Sequence, residues 1–433
     1  MKRAAFCTLG CKVNQYDTEA MTELFKNAGY TIVDFDEPAE VYVVNTCTVT
    51  GMSDRKSRQM IRRAKRHNPD SVLVVTGCYA QTDPEAVQQI EGVNLILGTQ
   101  DRKNIVELVE KLSPDESQSC VHDIMHTHDF ESLSVDSYTD RTRAYLKIQE
   151  GCNQFCSYCM IPYARGPIRS RDFSEVLSET RRFSEQGFSE IILAGIHVAS
   201  YGLDTHDHDL ADLLLAVNEI SGISRIRLSS IEPMTLDEAF IQKISGCDKL
   251  CEHFHLSLQS GCDETLRRMN RKYTTADYYG IVSGLRKHFP DVAITTDIMV
   301  GFPGETEEEF AETMAFAEKV GFADAHIFQY SPRRGTPAAK RTDQIPPQIK
   351  EERSHKIAQI TKKSRETFRS SFLGKTVEVL MEQPCREPQG YFSGKTRNYL
   401  PVIVKTDRDL SGKFVQVRLE KLSQDAIEGI LEE

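Results

Sequence analysis

The segment RAYLKIQEGCNQFCSYC, residues 143–159, joins a run typical of a buried strand to a loop with three cysteines. The cysteines are Cys152, Cys156 and Cys159, in the spacing C-x3-C-x2-C. A disulfide uses two thiols and a structural zinc site usually has four protein ligands, so this loop fits neither pattern well. Three thiolates can instead bind three irons of a cubane iron–sulfur cluster, which leaves the fourth iron open to a ligand that is not protein.

Strand-like and helix-like segments alternate along the chain that follows the first strand. The predicted strands are AYLKIQ, EIILAGI, RIRLSS, HFHLSLQ, AITTDIMVGF and AHIFQYS, and a helix is predicted from Gln348 to Ser370. Six strand–helix units predict an open (β/α)6 barrel over residues 143–370. Barrel enzymes place their chemistry on the loops that follow the strands. The cysteine loop occupies such a position.

Residues 1–112 show a second alternation of short apolar strands and amphipathic helices, which predicts a doubly wound parallel α/β domain. Cys11, Cys47 and Cys78 each follow a predicted strand of this domain, one strand–helix repeat apart. Loops after neighbouring parallel strands meet at one edge of a sheet, where such folds bind ligands. We therefore infer a second cluster with one open iron, against the alternative of three unrelated buried thiols.

Two further segments complete the predicted organisation, which is α/β for most of the chain. Residues 113–142 are polar and acidic, and they read as a linker or strap between domains. Residues 371–433 contain short strands separated by turns, which predicts a small antiparallel β-barrel. Cations and aromatic side chains alternate in this barrel, a composition that suits contact with folded RNA. Its candidate RNA-contacting residues are Lys395 and Arg397.

Composition narrows the protein class. The net charge is −11, which argues mildly against nonspecific coating of nucleic acid. We expect a cytoplasmic protein with no membrane association, because no apolar run approaches the length of a membrane span and the first residues lack a secretory pattern. In a reducing compartment, the twelve cysteines favour metal ligands or buried thiols over disulfides.

The motifs together resemble one enzyme family over nearly the whole chain. CNQFCSYC after a barrel strand resembles the signature loop of the radical S-adenosylmethionine enzymes. TLGCKVNQYDTE, NTCTVT, TGCYAQ, HLSLQSG, TDIMVGFPGET and FQYSPRRGTPA narrow the resemblance to the radical methylthiotransferases. The tail is similar to an RNA-binding TRAM domain.

The resemblance implies two [4Fe–4S] clusters and S-adenosyl-L-methionine as cofactors. In that family, the barrel cluster reduces S-adenosylmethionine to give a 5′-deoxyadenosyl radical, and the N-terminal cluster carries the sulfur that is transferred. The implied partners are a tRNA, an electron donor such as a flavodoxin or ferredoxin, and a source of sulfur. Two open irons facing one cavity would hold sulfur and radical on either side of the target carbon.

Several other residues are candidate site residues. Tyr158 precedes the last cysteine of the loop, and AGIHVASYG, with Gly195, resembles the family loop near the methionine amino group. Glu232, Ser257 and Gln259 lie at the ends of later strands, where polar groups of a barrel favour function. His253 and His255 lie near Cys247 and Cys251, but a structural or substrate-side role is favoured over a zinc site there.

The substrate separates the branches of the family. This chain reads G-C-K-V-N at residues 10–14, which resembles the branch that modifies N6-threonylcarbamoyladenosine at position 37 of tRNA. The other branches act on isopentenyladenosine of tRNA or on an aspartate of a ribosomal protein. Arg165, Arg169 and Arg171 are candidate contacts for the threonyl carboxylate, with surface ion pairing as the alternative. A non-catalytic RNA-binding protein with structural zinc is the alternative from another class.

Overall fold

The computed structural model describes residues 2–113, 115–135 and 142–432. The helices and strands of the N-terminal region are β1 (Arg3–Thr8), α1 (Lys12–Asn27), β2 (Thr31–Val33), β3 (Val41–Thr46), α2 (Gly51–His67), β4 (Val72–Gly77), α3 (Cys78–Thr82), α4 (Pro84–Gln88), β5 (Leu95–Leu97), α5 (Ile105–Glu110) and β6 (Gln118–Cys120). The strands form a parallel sheet in the order β2-β1-β3-β4-β5-β6.

Helices cover both faces of this sheet, so the predicted doubly wound arrangement is confirmed. Met21 and Phe25 of α1 pack on one face together with Ile105 of α5. Ile61 of α2 and Val87 of α4 pack on the other face. Strands β3 and β4 are buried along their whole length, which explains their uninterrupted apolar sequence. The strand order changes direction between β1 and β3, and this is the edge where doubly wound folds bind ligands.

The segment predicted as a linker is more ordered than its composition suggested. Strand β6 falls inside residues 113–142 and extends the N-terminal sheet by pairing with β5. Leu133 and Val135 are buried in the core of the central region. Glu131 is buried beside Arg102, with a 2.8 Å ion pair. The polar composition of this segment therefore did not indicate its strand or its two buried apolar residues. Residues 136–141 lie outside the described part of the chain.

The central region begins at β7. Its elements are β7 (Ala144–Glu150), α6 (Ile161–Arg165), β8 (Arg169–Ser170), α7 (Phe173–Glu185), β9 (Glu190–Gly195), α8 (Leu210–Asn218), β10 (Arg225–Leu228), α9 (Glu238–Ile244), β11 (His253–His255), α10 (Asp263–Arg268), α11 (Thr275–His288), β12 (Ala293–Val300), α12 (Glu307–Val320), β13 (Asp324–Gln329) and α13 (Pro347–Ser370).

The six predicted barrel strands are all present and run parallel to one another. They form two sheets, β10-β9-β7-β8 and β11-β12-β13, and the short strand β8 is antiparallel to β7. Isolated parallel bridges, Ile226 to Leu250 and Ile231 to Leu256, continue the curve between the sheets. The result is an open barrel, and its apolar core lies between the strands and the surrounding helices.

The C-terminal region is a closed barrel. Its strands are β14 (Thr376–Pro384), β15 (Tyr391–Thr396), β16 (Pro401–Lys405), β17 (Phe414–Leu422) and β18 (Ile427–Leu431), in the closed order β14-β15-β16-β18-β17. The strand pairs are antiparallel except β16 and β18, which are parallel. The barrel prediction is confirmed, with this one exception to its antiparallel pairing. Among the described residues, no helix is long and apolar enough to cross a membrane.

Candidate iron–sulfur centre

The N-terminal sheet brings Cys11, Cys47 and Cys78 to one edge; we call them the sheet triad. Cys47 and Cys78 directly follow β3 and β4, and Cys11 lies three residues after β1; these are neighbouring strands. Gly10 has a φ of +105°, and a Cβ at this position would lie 3.0 Å from Sγ of Cys47. A side chain at position 10 would therefore collide with the second thiol of the triad, and the backbone conformation itself favours glycine.

Cys152, Cys156 and Cys159 form the loop triad, which follows β7. The amide of Cys159 donates a 3.0 Å hydrogen bond to the carbonyl of Cys156, so the last two thiols share one turn. Other segments hold this turn from outside: the amide of Ser157 donates to the carbonyl of Met269 at 2.9 Å, and the amide of Ala338 donates to the carbonyl of Ser157 at 2.8 Å. The loop is thus fixed by backbone contacts from two distant parts of the barrel.

Each triad has one arginine that donates to a cysteine sulfur. Nε of Arg165 lies 3.3 Å from Sγ of Cys78 in the sheet triad. Nη1 of Arg271 lies 3.3 Å from Sγ of Cys156 in the loop triad. A guanidinium is always charged and binds anionic groups well, so both contacts suit a thiolate better than a neutral thiol.

The thiols themselves are in surroundings that resist ionisation in the absence of a metal. Burial raises the pKa of Cys47 and Cys152 to about 11 and that of Cys159 to about 12. Coordination to iron removes the thiol proton and pairs the charge, so such buried thiols fit cluster ligands. Among the described residues, no group of three or more His, Cys, Asp or Glu is arranged to hold a single metal ion.

One helix and one loop connect the two triads. Arg165 ends helix α6, which begins two residues after Cys159, yet its guanidinium reaches Cys78 of the other triad. The loop after β13 makes the second connection. Nη2 of Arg333 donates to Oγ1 of Thr48 at 2.6 Å, next to Cys47, while Ala338 of the same loop contacts Ser157. The packing therefore ties the surroundings of both triads together.

Comparison with known proteins agrees with this architecture. Residues 3–98 match the uncharacterized protein family UPF0004, residues 146–317 the radical SAM superfamily, and residues 370–430 the TRAM domain. The threonylcarbamoyladenosine tRNA methylthiotransferase MtaB of Bacillus subtilis is 44% identical over 433 residues, covering 99% of this chain and 96% of that protein. The chain belongs to the radical S-adenosylmethionine methylthiotransferase family.

Other relatives support the same assignment. MtaB of Aquifex aeolicus is 37% identical over 96% of this chain and 99% of that protein. The tRNA-2-methylthio-N(6)-dimethylallyladenosine synthase of Acetivibrio thermocellus is 38% identical over 99% of this chain and 91% of that protein. The solved radical S-adenosylmethionine methyltransferase TsrM of Kitasatospora setae, with cobalamin and a [4Fe–4S] cluster bound, has a TM-score of 0.56 at 16% identity, covering 78% of this chain and 77% of that one. This last likeness concerns the fold.

As a member of this methylthiotransferase family, the protein uses S-adenosylmethionine and [4Fe–4S] clusters. Two of the candidate cofactor residues, Glu232 and Ser257, contact Arg271, the arginine that reaches Sγ of Cys156. Glu232 is buried and forms a 2.5 Å ion pair with Arg271, and burial raises its pKa. Nη2 of Arg271 also donates to the carbonyl of Ser257 at 3.2 Å. A chain of contacts therefore links Cys156 to the ends of two barrel strands.

The remaining candidate cofactor residues are Tyr158, which lies in the loop itself, and Gly195 and Gln259, whose place near S-adenosylmethionine stays a prediction. Tyr158 packs with Phe302 in a small apolar cluster that shields the loop triad on one side. At Gly195, a Cβ would lie 2.9 Å from Oε1 of Gln149, so only glycine leaves the strand end unobstructed. Gln259 has a φ of +66°, an unusual backbone conformation that its glutamine side chain does not relieve.

Arg165, Arg169 and Arg171 have structural partners in the protein, so their contact with substrate stays a prediction. Each side chain is at most 4% exposed. Arg165 pairs with Asp17 at 3.0 Å and with Glu150, while Arg171 pairs with Glu179 at 2.6 Å. Arg169 donates to the carbonyl of Pro167 at 3.0 Å. The carboxylates that occupy these guanidinium groups could not be predicted from local sequence, because they lie on other elements.

The two candidate RNA-contacting residues of the C-terminal barrel have different positions. Nη2 of Arg397 donates to the carbonyls of Asp248 and Leu250, so Arg397 anchors the barrel to the central region. Lys395 is half-buried, and its ammonium lies 4.9 Å from the ring centre of Tyr399. Arg397 therefore docks the barrel on the central region, whereas Lys395 interacts electrostatically with Glu382. Contact of either residue with RNA stays a prediction.

Sequence reasoning missed three residues that the structure places near the triads. Arg271 and Arg333 make the contacts described above, and His197 is 7% exposed with no hydrogen-bond partner for either ring nitrogen among the described residues. Burial and the charge of Arg271 lower the pKa of His197 to about 4, so its ring is neutral at pH 7. His197 and Arg333 lie within quoted motifs, AGIHVASYG and FQYSPRRGTPA, and basic residues in those motifs were the available signal.

Proposed function

We propose that this methylthiotransferase attaches a methylthio group to C2 of N6-threonylcarbamoyladenosine at position 37 of tRNA. The relatives named MtaB, one of them 44% identical over nearly the whole chain, support this nucleoside. The observation that carries the reaction type is the pair of cysteine triads, brought to one region through Arg165 and the loop after β13. A single triad would serve radical formation but not sulfur delivery.

In the proposed enzyme, Cys11, Cys47 and Cys78 hold one [4Fe–4S] cluster, and Cys152, Cys156 and Cys159 hold the other. When bound, the clusters and S-adenosylmethionine supply the radical and the sulfur chemistry. The residues that we assign to the surroundings of S-adenosylmethionine are Tyr158, Gly195, Glu232, Ser257 and Gln259. Arg271 positions Glu232 and the loop triad together, because one guanidinium contacts both.

The partners of the proposed reaction are a tRNA that carries N6-threonylcarbamoyladenosine, an electron donor such as a flavodoxin or ferredoxin, and a sulfur source. The C-terminal barrel supplies an RNA-binding module of the TRAM type. We also propose a cytoplasmic location, where tRNA is modified.

Isopentenyladenosine of tRNA is the second candidate substrate, because a dimethylallyladenosine synthase is 38% identical over 99% of the chain. The two nucleosides differ in charge: the threonyl group carries a carboxylate and the isopentenyl group is apolar. A site for the first candidate would therefore need a cation that a site for the second would not. An aspartate of a ribosomal protein is the third candidate from the family, and a TRAM-type barrel favours RNA over it.

The test uses the full chain with both clusters reconstituted under anaerobic conditions. The enzyme is incubated with S-adenosylmethionine, a reductant, sulfide and one of two tRNAs, carrying either threonylcarbamoyladenosine or isopentenyladenosine. Mass spectrometry of the nucleosides should show the methylthio product from the first tRNA only. Product from the second tRNA alone would overturn the proposed nucleoside, and product from neither, together with modification of a ribosomal protein, would overturn the RNA substrate.

A further inference from the structure

The loop after β13, residues 331–338, has one contact on each side of the boundary between the N-terminal and central regions. At its start, Oγ of Ser331 accepts a 3.4 Å hydrogen bond from the amide of Gly51, the first residue of α2. At its end, the amide of Ala338 donates a 2.8 Å hydrogen bond to the carbonyl of Ser157, within the loop triad's own turn. We call residues 331–338 the bridging segment.

Arg333 makes the charged contact of the bridging segment with the N-terminal domain. Its Nη2 lies 2.6 Å from Oγ1 of Thr48 and 2.6 Å from Oδ2 of Asp54. Oγ1 of Thr48 in turn donates a 2.9 Å hydrogen bond to Oδ1 of Asp54, so the three side chains contact one another. Thr48 directly follows Cys47 of the sheet triad, and Asp54 lies in the first turn of α2. One guanidinium therefore holds both the residue next to a triad cysteine and the helix that follows it.

This contact is largely shielded from water. The side chain of Arg333 is 10% exposed and that of Asp54 is 16% exposed, while Thr48 is buried. Ion pairs at the surface contribute little because water screens them, whereas a buried charge that loses its partner is left uncompensated. Arg333 therefore holds Asp54 more tightly than a surface ion pair would.

The bridging segment also has a defined conformation of its own. The carbonyl of Arg333 accepts hydrogen bonds from Oγ1 of Thr336 at 2.8 Å and from the amide of Thr336 at 3.1 Å. Gly335, inside this turn, has a φ of +92°, a conformation that favours glycine. Thr336 and Ala338 are buried. The segment is therefore a short spacer with a fixed turn, and not a loose connection.

We propose that Arg333 is a positioning residue that sets the placement of the sheet triad relative to the loop triad. It acts through Thr48 and Asp54, which receive its hydrogen bonds. Transfer of sulfur to a carbon activated by the radical needs both groups in correct register, and a small misplacement lowers the rate steeply. This inference rests on the proposed function, because it takes radical formation from the loop triad and sulfur delivery from the sheet triad.

The test measures two products of the full-length holoenzyme, 5′-deoxyadenosine and the methylthio nucleoside, with the tRNA that the wild-type enzyme modifies. Arg333→Met should keep about eight irons per chain. It should form 5′-deoxyadenosine at a rate within about twofold of wild type, because the loop triad is unchanged. The yield of methylthio product per 5′-deoxyadenosine should fall about tenfold to a hundredfold, because the reacting groups lose their register.

A conservative variant and an unrelated ion pair provide the controls. Arg333→Lys should recover part of the yield, since a single ammonium can replace the one nitrogen that contacts both Thr48 and Asp54. Arg341→Met removes the same charge from a nearby arginine, whose Nε donates to Asp343 at 2.9 Å near the surface. This control should keep the wild-type yield.

Asp54→Asn tests the same contact from the N-terminal side. It removes the charge that faces Arg333 and should lower the yield in the same direction, by less than Arg333→Met does. The double variant should be no worse than Arg333→Met alone, as expected for two residues that act through one contact.

Amide hydrogen exchange in the holoenzyme gives a readout that does not depend on turnover. The peptide of residues 47–56 should exchange faster in Arg333→Met than in wild type, because the contact that holds it is lost. The peptide of residues 150–160 should exchange as in wild type. Arg341→Met should leave both peptides unchanged.

Three outcomes would overturn the inference. An unchanged yield in Arg333→Met would show that the contact does not affect sulfur transfer, and unchanged exchange over residues 47–56 would show that it does not hold this loop. A parallel loss of iron, 5′-deoxyadenosine and product in folded Arg333→Met would make Arg333 a residue of general stability. If Arg333→Met does not fold, the yield of Asp54→Asn decides: a lowered yield supports the inference and a wild-type yield overturns it. Failure of the proposed function is distinguishable, because the wild-type enzyme itself would then give no methylthio product.

Discussion

The two cysteine triads present the same ligands but are assembled differently, one from a single loop and the other from three separate strands. The loop triad comes from residues 152–159, and one turn of backbone sets its geometry. The sheet triad comes from residues 11, 47 and 78, and the parallel order of β1, β3 and β4 sets its geometry. The first can therefore be read from local spacing, while the second exists only if the whole N-terminal sheet folds. We therefore expect changes in packing far from the cysteines to disturb the geometry of the sheet triad more than that of the loop triad.

Removal of either triad should give the largest effect and separate the two roles. Replacement of all three cysteines by alanine in one triad should lower the iron content from about eight to about four per chain, because each cubane holds four irons. Without the loop triad, 5′-deoxyadenosine formation should stop. Without the sheet triad, S-adenosylmethionine should still be cleaved, but no methylthio product should form. Iron analysis and chromatography of the products measure these outcomes.

A matched control replaces Cys120 and Cys385 by alanine, two half-buried thiols outside both triads. This variant should keep about eight irons and full activity. If loss of the sheet triad also stopped cleavage of S-adenosylmethionine, the two triads would not be separate in function. If it left product formation intact, the sheet triad would have no part in the reaction.

The cysteines of both triads could be predicted from the sequence, but the residues around them could not. Three thiols in eight residues are a local pattern, and the strand–helix repeat located the other three by topology. The destination of Arg165 could not be predicted, since its partner Asp17 lies on a different domain and their pairing depends on the final packing. The spacing of the cysteines in the sequence predicted the cluster ligands, whereas the residues around those ligands are known only from the packing of the folded chain.

The second prediction concerns Arg165, which connects the triads. Arg165→Met should lower the free energy of unfolding by about 3–5 kcal/mol, because Asp17 and Glu150 are fully buried and lose a shared cation. It also removes the hydrogen bond to Cys78, so the cluster of the sheet triad should be lost more readily than that of the loop triad. Anaerobic denaturation followed by absorption of the clusters measures both effects.

Arg267→Met is the matched control, because Arg267 is exposed and its ion pair with Glu264 is at the surface. Surface pairs contribute little, so this variant should unfold with the wild-type midpoint. Equal midpoints for Arg165→Met and Arg267→Met would show that the buried network does not hold the two regions together. Loss of both clusters at the same denaturant concentration would contradict the greater sensitivity of the sheet triad.

The smallest effect is expected at Thr50, which caps the helix after the second cysteine of the sheet triad. Oγ1 of Thr50 accepts a 3.1 Å hydrogen bond from the amide of Ser53 at the start of α2. Thr50→Ala should cost about 1 kcal/mol, the usual contribution of such a cap, whereas Thr50→Ser keeps the oxygen and should cost less. Helix α6, after the loop triad, begins without a side-chain cap. Equal stability of the alanine and serine variants in denaturant titrations would show that the cap does not stabilise the loop that carries Cys47. The sheet alone would then set the geometry of the sheet triad.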